Sequence, residues 1–188
     1  GHLGITVTGD AFNLYVLLEI AALSGYALLG MGEKRAPLAT LNYLLIGTIG
    51  ASFYLLGVGF LYIQTGSLNM LDLAQLLQNI GPTVIVLAAF GLILVGVLIK
   101  MAFFPLHAWL PGAYSYAPSA ASSLIAPMTT KVMIYAMIRM MLTVFTPDIT
   151  FSSALLSDVL VWTASLAIVM GGFMALSSRH FKRMLTFI

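Results

Sequence analysis

Apolar residues occur along this chain in five long segments, which are separated by short stretches rich in polar residues, glycine or proline. A helix needs about 20 mainly apolar residues to cross a lipid bilayer. The pattern predicts membrane-spanning helices at about residues 11–31, 38–63, 83–113, 120–145 and 154–176. We therefore expect an all-α fold, a polytopic bundle of transmembrane helices in a single membrane domain over residues 1–188.

The third segment, residues 83–113, is too long for one untilted crossing of a hydrocarbon layer about 30 Å thick. Pro105 lies inside it and has no backbone N–H, so it interrupts the hydrogen bonds of a helix. We predict a broken helix, with Lys100 just before the break and near the middle of the membrane. Backbone groups freed by such a break are tolerated only against protein or water.

The chain between the second and third segments has a different pattern. Apolar residues recur at helical spacing over about residues 68–79, which predicts a short amphipathic helix lying at the membrane interface. Lysine and arginine cluster at residues 34–35 and 179–183, which five alternating crossings place on one side. Because basic loops favour the inside, we expect the chain to begin outside and residue 180 to lie inside.

The composition supports a membrane protein and excludes several other classes. Hydrophobic residues make up 61% of the chain and charged residues 7%, against about 25% charged residues in soluble domains. The absence of cysteine excludes disulfides, thiolate metal sites and iron–sulfur clusters. We predict no cofactor and no metal site in this chain. No basic stripe is present, so nucleic acid is not an expected partner.

Ionisable residues inside the apolar segments are the candidates for function. A charge near the bilayer centre costs at least ~2.5–3.5 kcal/mol, so it persists only when paired, hydrated or neutral. Glu19 follows Ala11 by about 12 Å along a helix, too deep for a glutamate to reach the interface. We interpret Glu19 as a carboxylate that exchanges protons or cations. The alternative is a neutral acid that hydrogen-bonds two helices together.

Three further residues extend this candidate site. Lys131 lies within the fourth segment and Lys100 lies before the predicted break, although the long stem of either lysine could carry its ammonium toward an interface. His107 follows the break and is a candidate proton relay, or else a hydrogen-bonded anchor beside Trp109. We expect Glu19, Lys100 and Lys131 to face one another, so that each changes the proton affinity of the next.

Several motifs resemble one family of membrane proteins. They are residues 10–19 (DAFNLYVLLE), 100–111 (KMAFFPLHAWLP), 117–120 (APSA), 130–139 (TKVMIYAMIR) and 181–185 (FKRML). Together they resemble the antiporter-like membrane subunits shared by respiratory complex I, membrane-bound hydrogenases and multisubunit sodium/proton antiporters. Residues 65–73 (TGSLNMLDL) resemble the D-type subunit of the multisubunit antiporters most closely. Gly112 and His180 stand where the family often has aspartate.

The resemblance implies a specific fold and function. The chain would be an interior fragment of a longer protein of the bacterial or archaeal cell membrane, with part of an inverted-repeat antiporter-like fold. Glu19, Lys100 and Lys131 match the proton-translocating residues of the family, and His107 matches a histidine after the break. The implied function is translocation of protons, or exchange of protons for sodium ions, in a complex with other membrane subunits.

Two alternatives stay open at this point. The parent assembly could be an NADH:quinone oxidoreductase or a hydrogenase whose redox chemistry lies in other subunits, with no catalytic centre in this chain. The chain could also be a structural spacer, whose buried charges only hold helices together.

Overall fold

The computed structural model describes residues 1–151 and 154–187, apart from the side chains of residues 148 and 154–156. Within these ranges the chain is helical, and its β-type pairing is limited to an isolated bridge between Asp10 and Asn69. The helices are α1 (His2–Val7), α2 (Ala11–Gly30), α3 (Ala36–Thr65), α4 (Met70–Ile80), α5 (Val84–Lys100), α6 (Trp109–Tyr116), α7 (Ser119–Arg139), α8 (Thr146–Thr150), α9 (Ala154–Ser177) and α10 (Phe181–Met184). A π-helical turn, Met140–Val144, extends α7. The predicted all-α fold is confirmed.

Membrane-spanning length is reached in four of the described helices. They are Ala11–Gly30, Ala36–Thr65, Ser119–Val144 and Ser157–Ser177. Helix α5 is equally apolar but has only 17 residues, because it ends at Lys100. The chain then turns and continues as α6, so α5 and α6 are the two halves of the predicted broken helix, which is confirmed.

Polar side chains fix the starts of three helices. Asp10, Asn69 and Thr83 accept hydrogen bonds from first-turn backbone N–H groups of α2, α4 and α5, at 2.7, 2.9 and 3.3 Å. Such caps satisfy N–H groups that have no partner within the helix. The Asp10–Asn69 bridge also joins the starts of α2 and α4, through backbone bonds of 2.8 and 2.9 Å. The amphipathic helix α4 is thereby held beside α2.

Glycine allows α3 and α5 to pack backbone against backbone. A Cβ atom added to Gly96 would lie 2.6 Å from the carbonyl oxygen of Gly50. One added to Gly57 would lie 2.8 Å from the carbonyl oxygen of Ala89. Small residues permit this close approach where lipid supplies no hydrophobic drive for helix association. The first half of the broken helix is therefore packed along α3.

Two clusters of buried side chains lie one above the other in the bundle. The first joins α1 to α5, α7, α8 and the π-helical turn, and includes Leu14 and Leu18 of α2. The second joins α2, α3, α6 and α7, and includes Ala22 and Tyr26 of α2. On α2 the buried residues of the two clusters are separated by the interval between Leu18 and Ala22, which contains Glu19.

Basic side chains hold segments together at both ends of the bundle. Arg139, at the end of α7, donates a hydrogen bond to the carbonyl oxygen of Thr8. At the other end, Lys182 donates to the carbonyl oxygen of Ala117, just after α6. Gly32, beside the basic residues 34–35, also packs against Ala117. The two basic clusters of the sequence therefore lie at the same end of the bundle.

Candidate ion-translocation site

Glu19 and Lys100 form an ion pair between α2 and α5. The Lys100 Nζ atom lies 2.8 Å from Glu19 Oε1, so the contact is both a salt bridge and a hydrogen bond. The side chain of Lys100 is 7% exposed and that of Glu19 is 21% exposed. Charge-assisted hydrogen bonds of this length are among the strong ones in proteins. Each group therefore has an oppositely charged partner within the bundle.

The pair lies deep in the bundle rather than at an end. Glu19 is the ninth residue of the 20-residue helix α2. Beside Lys100, Ile99 contacts the position of Gly50, which is the fifteenth residue of the 30-residue helix α3. Glu19 therefore lies near the midpoint of α2, and Lys100, at the end of α5, lies level with the midpoint of α3. At this depth neither group is placed to snorkel to a headgroup region.

The helix break places Lys100 at this depth. Helix α5 ends at Lys100, and Phe103 N–H reaches back to the Leu98 carbonyl oxygen at 3.0 Å. Ala102 has a positive φ of 56°, which turns the chain, and α6 begins at Trp109. Carbonyl groups at the end of a helix lack partners within the helix. The Ile99 carbonyl oxygen accepts two hydrogen bonds at this end, from the Ala102 N–H at 3.1 Å and from the Trp109 Nε1–H at 3.2 Å.

Aromatic residues close the site toward α3 and α6. The rings of Tyr43 and Trp109 stack with centroids 4.2 Å apart, and Tyr26 meets Tyr43 edge-on at 4.6 Å. Gly47 leaves the room that the Tyr26 hydroxyl occupies, since an added Cβ would lie 2.2 Å from that oxygen. The side chains of Tyr26, Tyr43 and Trp109 are at most 5% exposed. These three aromatic side chains cover the ion pair on the side of α3 and α6.

Lys131 lies apart from the ion pair. It is exposed in the described part of the chain, and it forms no hydrogen bond or ion pair with other described residues. With His107 it lines a wide cleft of about 820 Å³ between α6, α7, α9 and α10. Ser122, Ser123 and Thr130 line the same cleft. The structure thus brings together Glu19 and Lys100, but places Lys131 in a separate space.

His107 lies in the turn that connects the two halves of the broken helix, which also contains Pro105. Its ring lies 5.5 Å from Phe104 and 6.5 Å from Phe187, between centroids. The Nδ1 atom is buried and has no hydrogen-bond partner among the described residues. A ring nitrogen in this state has capacity for a water or for a group outside the described residues.

His2 is a polar residue that the sequence pattern did not mark, since only His107 adjoins an apolar segment in the sequence. Its Nε2 atom lies 3.3 Å from the Thr129 hydroxyl, which joins α1 to the middle of α7. No sequence signal reveals this contact, because it joins residues 127 positions apart. No group of three His, Asp or Glu side chains in the described residues could hold a metal ion.

The fold and the site together define a class of protein. It is a polytopic helical membrane protein in which a lysine at a helix break pairs, within the bundle, with a glutamate of the neighbouring helix. The chain belongs to the NADH:quinone oxidoreductase/Mrp antiporter transmembrane family, whose sequence pattern matches residues 8–187. The family resemblance inferred from the sequence is therefore confirmed.

Named relatives fall into two groups. The chain is 48% identical over 187 residues to the NADH-quinone oxidoreductase subunit N of Desulforudis audaxviator, in a match that covers all of this chain and 37% of that protein. It is 35% identical over 172 residues to the D subunit of the Na(+)/H(+) antiporter of Bacillus subtilis, in a match that covers 91% of this chain and 34% of that protein. The chain therefore spans little more than a third of the length of these relatives.

Solved structures with the same fold come from several complexes. A chain of an archaeal membrane-bound sulfane sulfur reductase matches with a TM-score of 0.89 and 37% identity, over 98% of this chain and 37% of that chain. A chain of the Mrp complex from a Dietzia species matches with a TM-score of 0.85 and 28% identity, over 99% of this chain and 34% of that chain. Respiratory complex I from Thermus thermophilus contains a third match, with a TM-score of 0.78 and 28% identity over 99% of this chain and 39% of that chain.

Proposed function

We propose that this chain is part of a subunit that translocates protons, or exchanges protons for sodium ions, across a membrane through Glu19, Lys100 and Lys131. The observation that carries the proposal is the Glu19–Lys100 ion pair of 2.8 Å at mid-height of the bundle. A spanning helix has no structural need for a charge at that depth, and the charge is costly. Intramembrane ionisable residues of this kind mark ion pathways and proton relays.

The chemistry of the pair suits proton transfer. When Glu19 takes up a proton, Lys100 loses the negative charge that stabilises its ammonium. When Lys100 releases a proton, Glu19 loses its positive partner. Because the two groups lie 2.8 Å apart, each event changes the electrostatic environment of the other group. With such coupling, a change of charge elsewhere in an assembly could cause the Glu19–Lys100 pair to take up or release a proton.

In this proposal Lys131 and His107 form a second group of proton-carrying residues. Both line the cleft of about 820 Å³, together with serine and threonine hydroxyl groups. The cleft is wide enough for many waters, whereas Lys100 is almost fully buried. In this proposal a proton that leaves the ion pair passes to Lys131 by way of this cleft, and His107 is a candidate relay on that route.

We propose that the partners are other membrane subunits of one complex, in a bilayer, with protons and possible exchange for sodium as the transported ions. The support is that the named relatives are subunits, one of an NADH-quinone oxidoreductase and one of a Na(+)/H(+) antiporter. In the first kind of assembly the redox chemistry would lie in other subunits.

The test is proton transport by the full-length protein in its assembly, reconstituted in vesicles that contain a pH-sensitive dye. Glu19→Gln and Lys100→Gln keep the size of the side chains but remove one charge each, and Lys131→Gln does the same in the cleft. Glu33→Gln is the matched control, because Glu33 lies in the loop between α2 and α3 and outside the site. We expect each site variant to lower the transport rate by about tenfold or more.

The control should transport at the normal rate. Normal transport by Glu19→Gln and Lys100→Gln, in assemblies of normal composition, would contradict the proposal and leave the chain as a structural spacer. Dependence of the rate on sodium in the same vesicles separates proton transport alone from proton/sodium exchange.

A further inference from the structure

A small cavity lies beside Lys100, separate from the wide cleft. Its volume is about 20 Å³, and four of its lining side chains are polar: His2, Tyr43, Lys100 and Thr129. They come from α1, α3, α5 and α7. The remaining lining residues are mostly apolar residues of α2 and α7. The cavity is thus a polar pocket inside an otherwise apolar contact between helices.

The polar groups around this cavity have unused hydrogen-bonding capacity. The Lys100 ammonium has three N–H donors, of which only one has a partner, Glu19, among the described residues. Lys100 is 8% exposed, so bulk water does not satisfy the other two. The Thr129 hydroxyl contacts His2 and, as a donor and double acceptor, has capacity for a further bond. Buried polar groups in this state are normally satisfied by an internal water.

The size of the cavity decides how many waters fit. One water needs at least about 10–15 Å³ of such volume and two to four polar partners. A cavity of about 20 Å³ with four polar lining groups meets both requirements for one water and leaves no room for a second. We propose that this cavity holds a single internal water, which accepts a hydrogen bond from Lys100 and donates to the hydroxyl oxygens of Thr129 and Tyr43.

The proposed water connects Lys100 to a different side of α7 from the side that carries Lys131. Thr129 and Lys131 are two residues apart on α7, so their side chains leave the helix roughly 200° apart. Thr129 lines the small cavity, whereas Lys131 lines the wide cleft on another side of α7. The water therefore connects Lys100 to Thr129 and, through the 3.3 Å contact, to His2. Thr129 is a positioning residue, because it acts on Lys100 through the water.

Two measurements test the proposal. The presence of the water does not depend on the proposed function, whereas its effect on transport does. A map of the full-length protein in its assembly, at a resolution that reveals internal waters, should contain density about 2.7–3.2 Å from Lys100 Nζ and from Thr129 Oγ1. An empty cavity in a map that resolves other internal waters overturns the water site.

Transport by Thr129 variants tests the positioning role. Thr129→Val keeps the branched shape but removes the hydroxyl, whereas Thr129→Ser keeps the hydroxyl. We expect the valine variant to transport roughly tenfold more slowly, the loss expected for one hydrogen bond in a network that ends on a charged group, and the serine variant to retain most of the rate. Thr48→Val is the matched control, because the exposed Thr48 hydroxyl bonds only to its own helix.

Tyr43→Phe provides a second variant, which removes another partner of the water while keeping the ring on Trp109. We expect it to slow transport as well. Normal rates in both Thr129→Val and Tyr43→Phe, with Lys100→Gln inactive, overturn the positioning role and leave the proposed function standing. Normal transport by Lys100→Gln overturns the proposed function instead, and the map then decides the water site by itself.

Discussion

Removing either member of the Glu19–Lys100 pair should destabilise the protein, while removing both should not. Glu19→Leu leaves a buried ammonium without its partner, and Lys100→Met leaves a carboxylate. Breaking a buried pair in this way costs about 3–5 kcal/mol, whereas an apolar replacement of the whole pair is often neutral. The double variant should therefore be more stable than either single variant, which makes the test a double-mutant cycle.

The magnitude follows from the geometry. At 2.8 Å the two charges attract by about 6 kcal/mol with an effective dielectric constant of about 20, before desolvation is subtracted. Because Glu19 is 21% exposed and Lys100 only 7%, we expect Glu19→Leu to be the more harmful change.

Thermal unfolding of the purified assembly measures the effect. A loss of about 3 kcal/mol corresponds to a fall in Tm of about 6–12 °C for a cooperative unit of 150–250 residues.

Lys34→Met is the matched control, since Lys34 is exposed in the loop between α2 and α3. It should change the Tm by little. Additive losses in the double variant would refute the reasoning that the two groups stabilise each other as charges.

Two further predictions concern the scaffold around the pair. Trp109→Phe keeps a ring at the helix break but removes one of the two donors to the Ile99 carbonyl oxygen, leaving only the Ala102 N–H. We therefore expect the assembly to lose about 1 kcal/mol of stability, measured as a lower Tm than that of the parent protein. Gly96→Ala places a Cβ 2.6 Å from the backbone of α3, so it should separate the two helices and lower the Tm. Gly91 lies on the same helix but faces open space, so Gly91→Ala should leave the Tm unchanged or raise it. Equal Tm values for the two alanine variants would contradict the close packing.

The sequence predicted the broken helix because the information is local. Pro105 removes a hydrogen bond wherever the helix lies, and the apolar run around it is too long for a single crossing. The depth of Glu19 likewise follows from counting residues along one helix. These features depend on spacing within a single segment, and the sequence displays that spacing directly.

The arrangement of the site depends on the rotation of whole helices, which the sequence does not display. Helix α7 carries Thr129 and Lys131 within one turn, and nothing in its weak contrast of polar and apolar faces indicates which of them turns toward Lys100. The sequence led us to expect Lys131 beside the pair, whereas Thr129 lies there. The contact of His2 with α7 was missed for the same reason, because it depends on the packing of distant segments.

The close approach of Gly50 and Gly96 has a consequence for movement during transport. Because no side chains lie between them at this point, the backbones of α3 and α5 are in direct contact, and neither helix can slide or rotate past the other without a clash. These two helices are therefore expected to move as one rigid unit, with Lys100 at its end. Trp109 links the start of α6 to the same unit, because its ring stacks on Tyr43 and its Nε1–H bonds to Ile99. If the proposed transport requires a rearrangement near Lys100, we expect it in residues 101–108, which connect the two halves of the broken helix, rather than between α3 and α5.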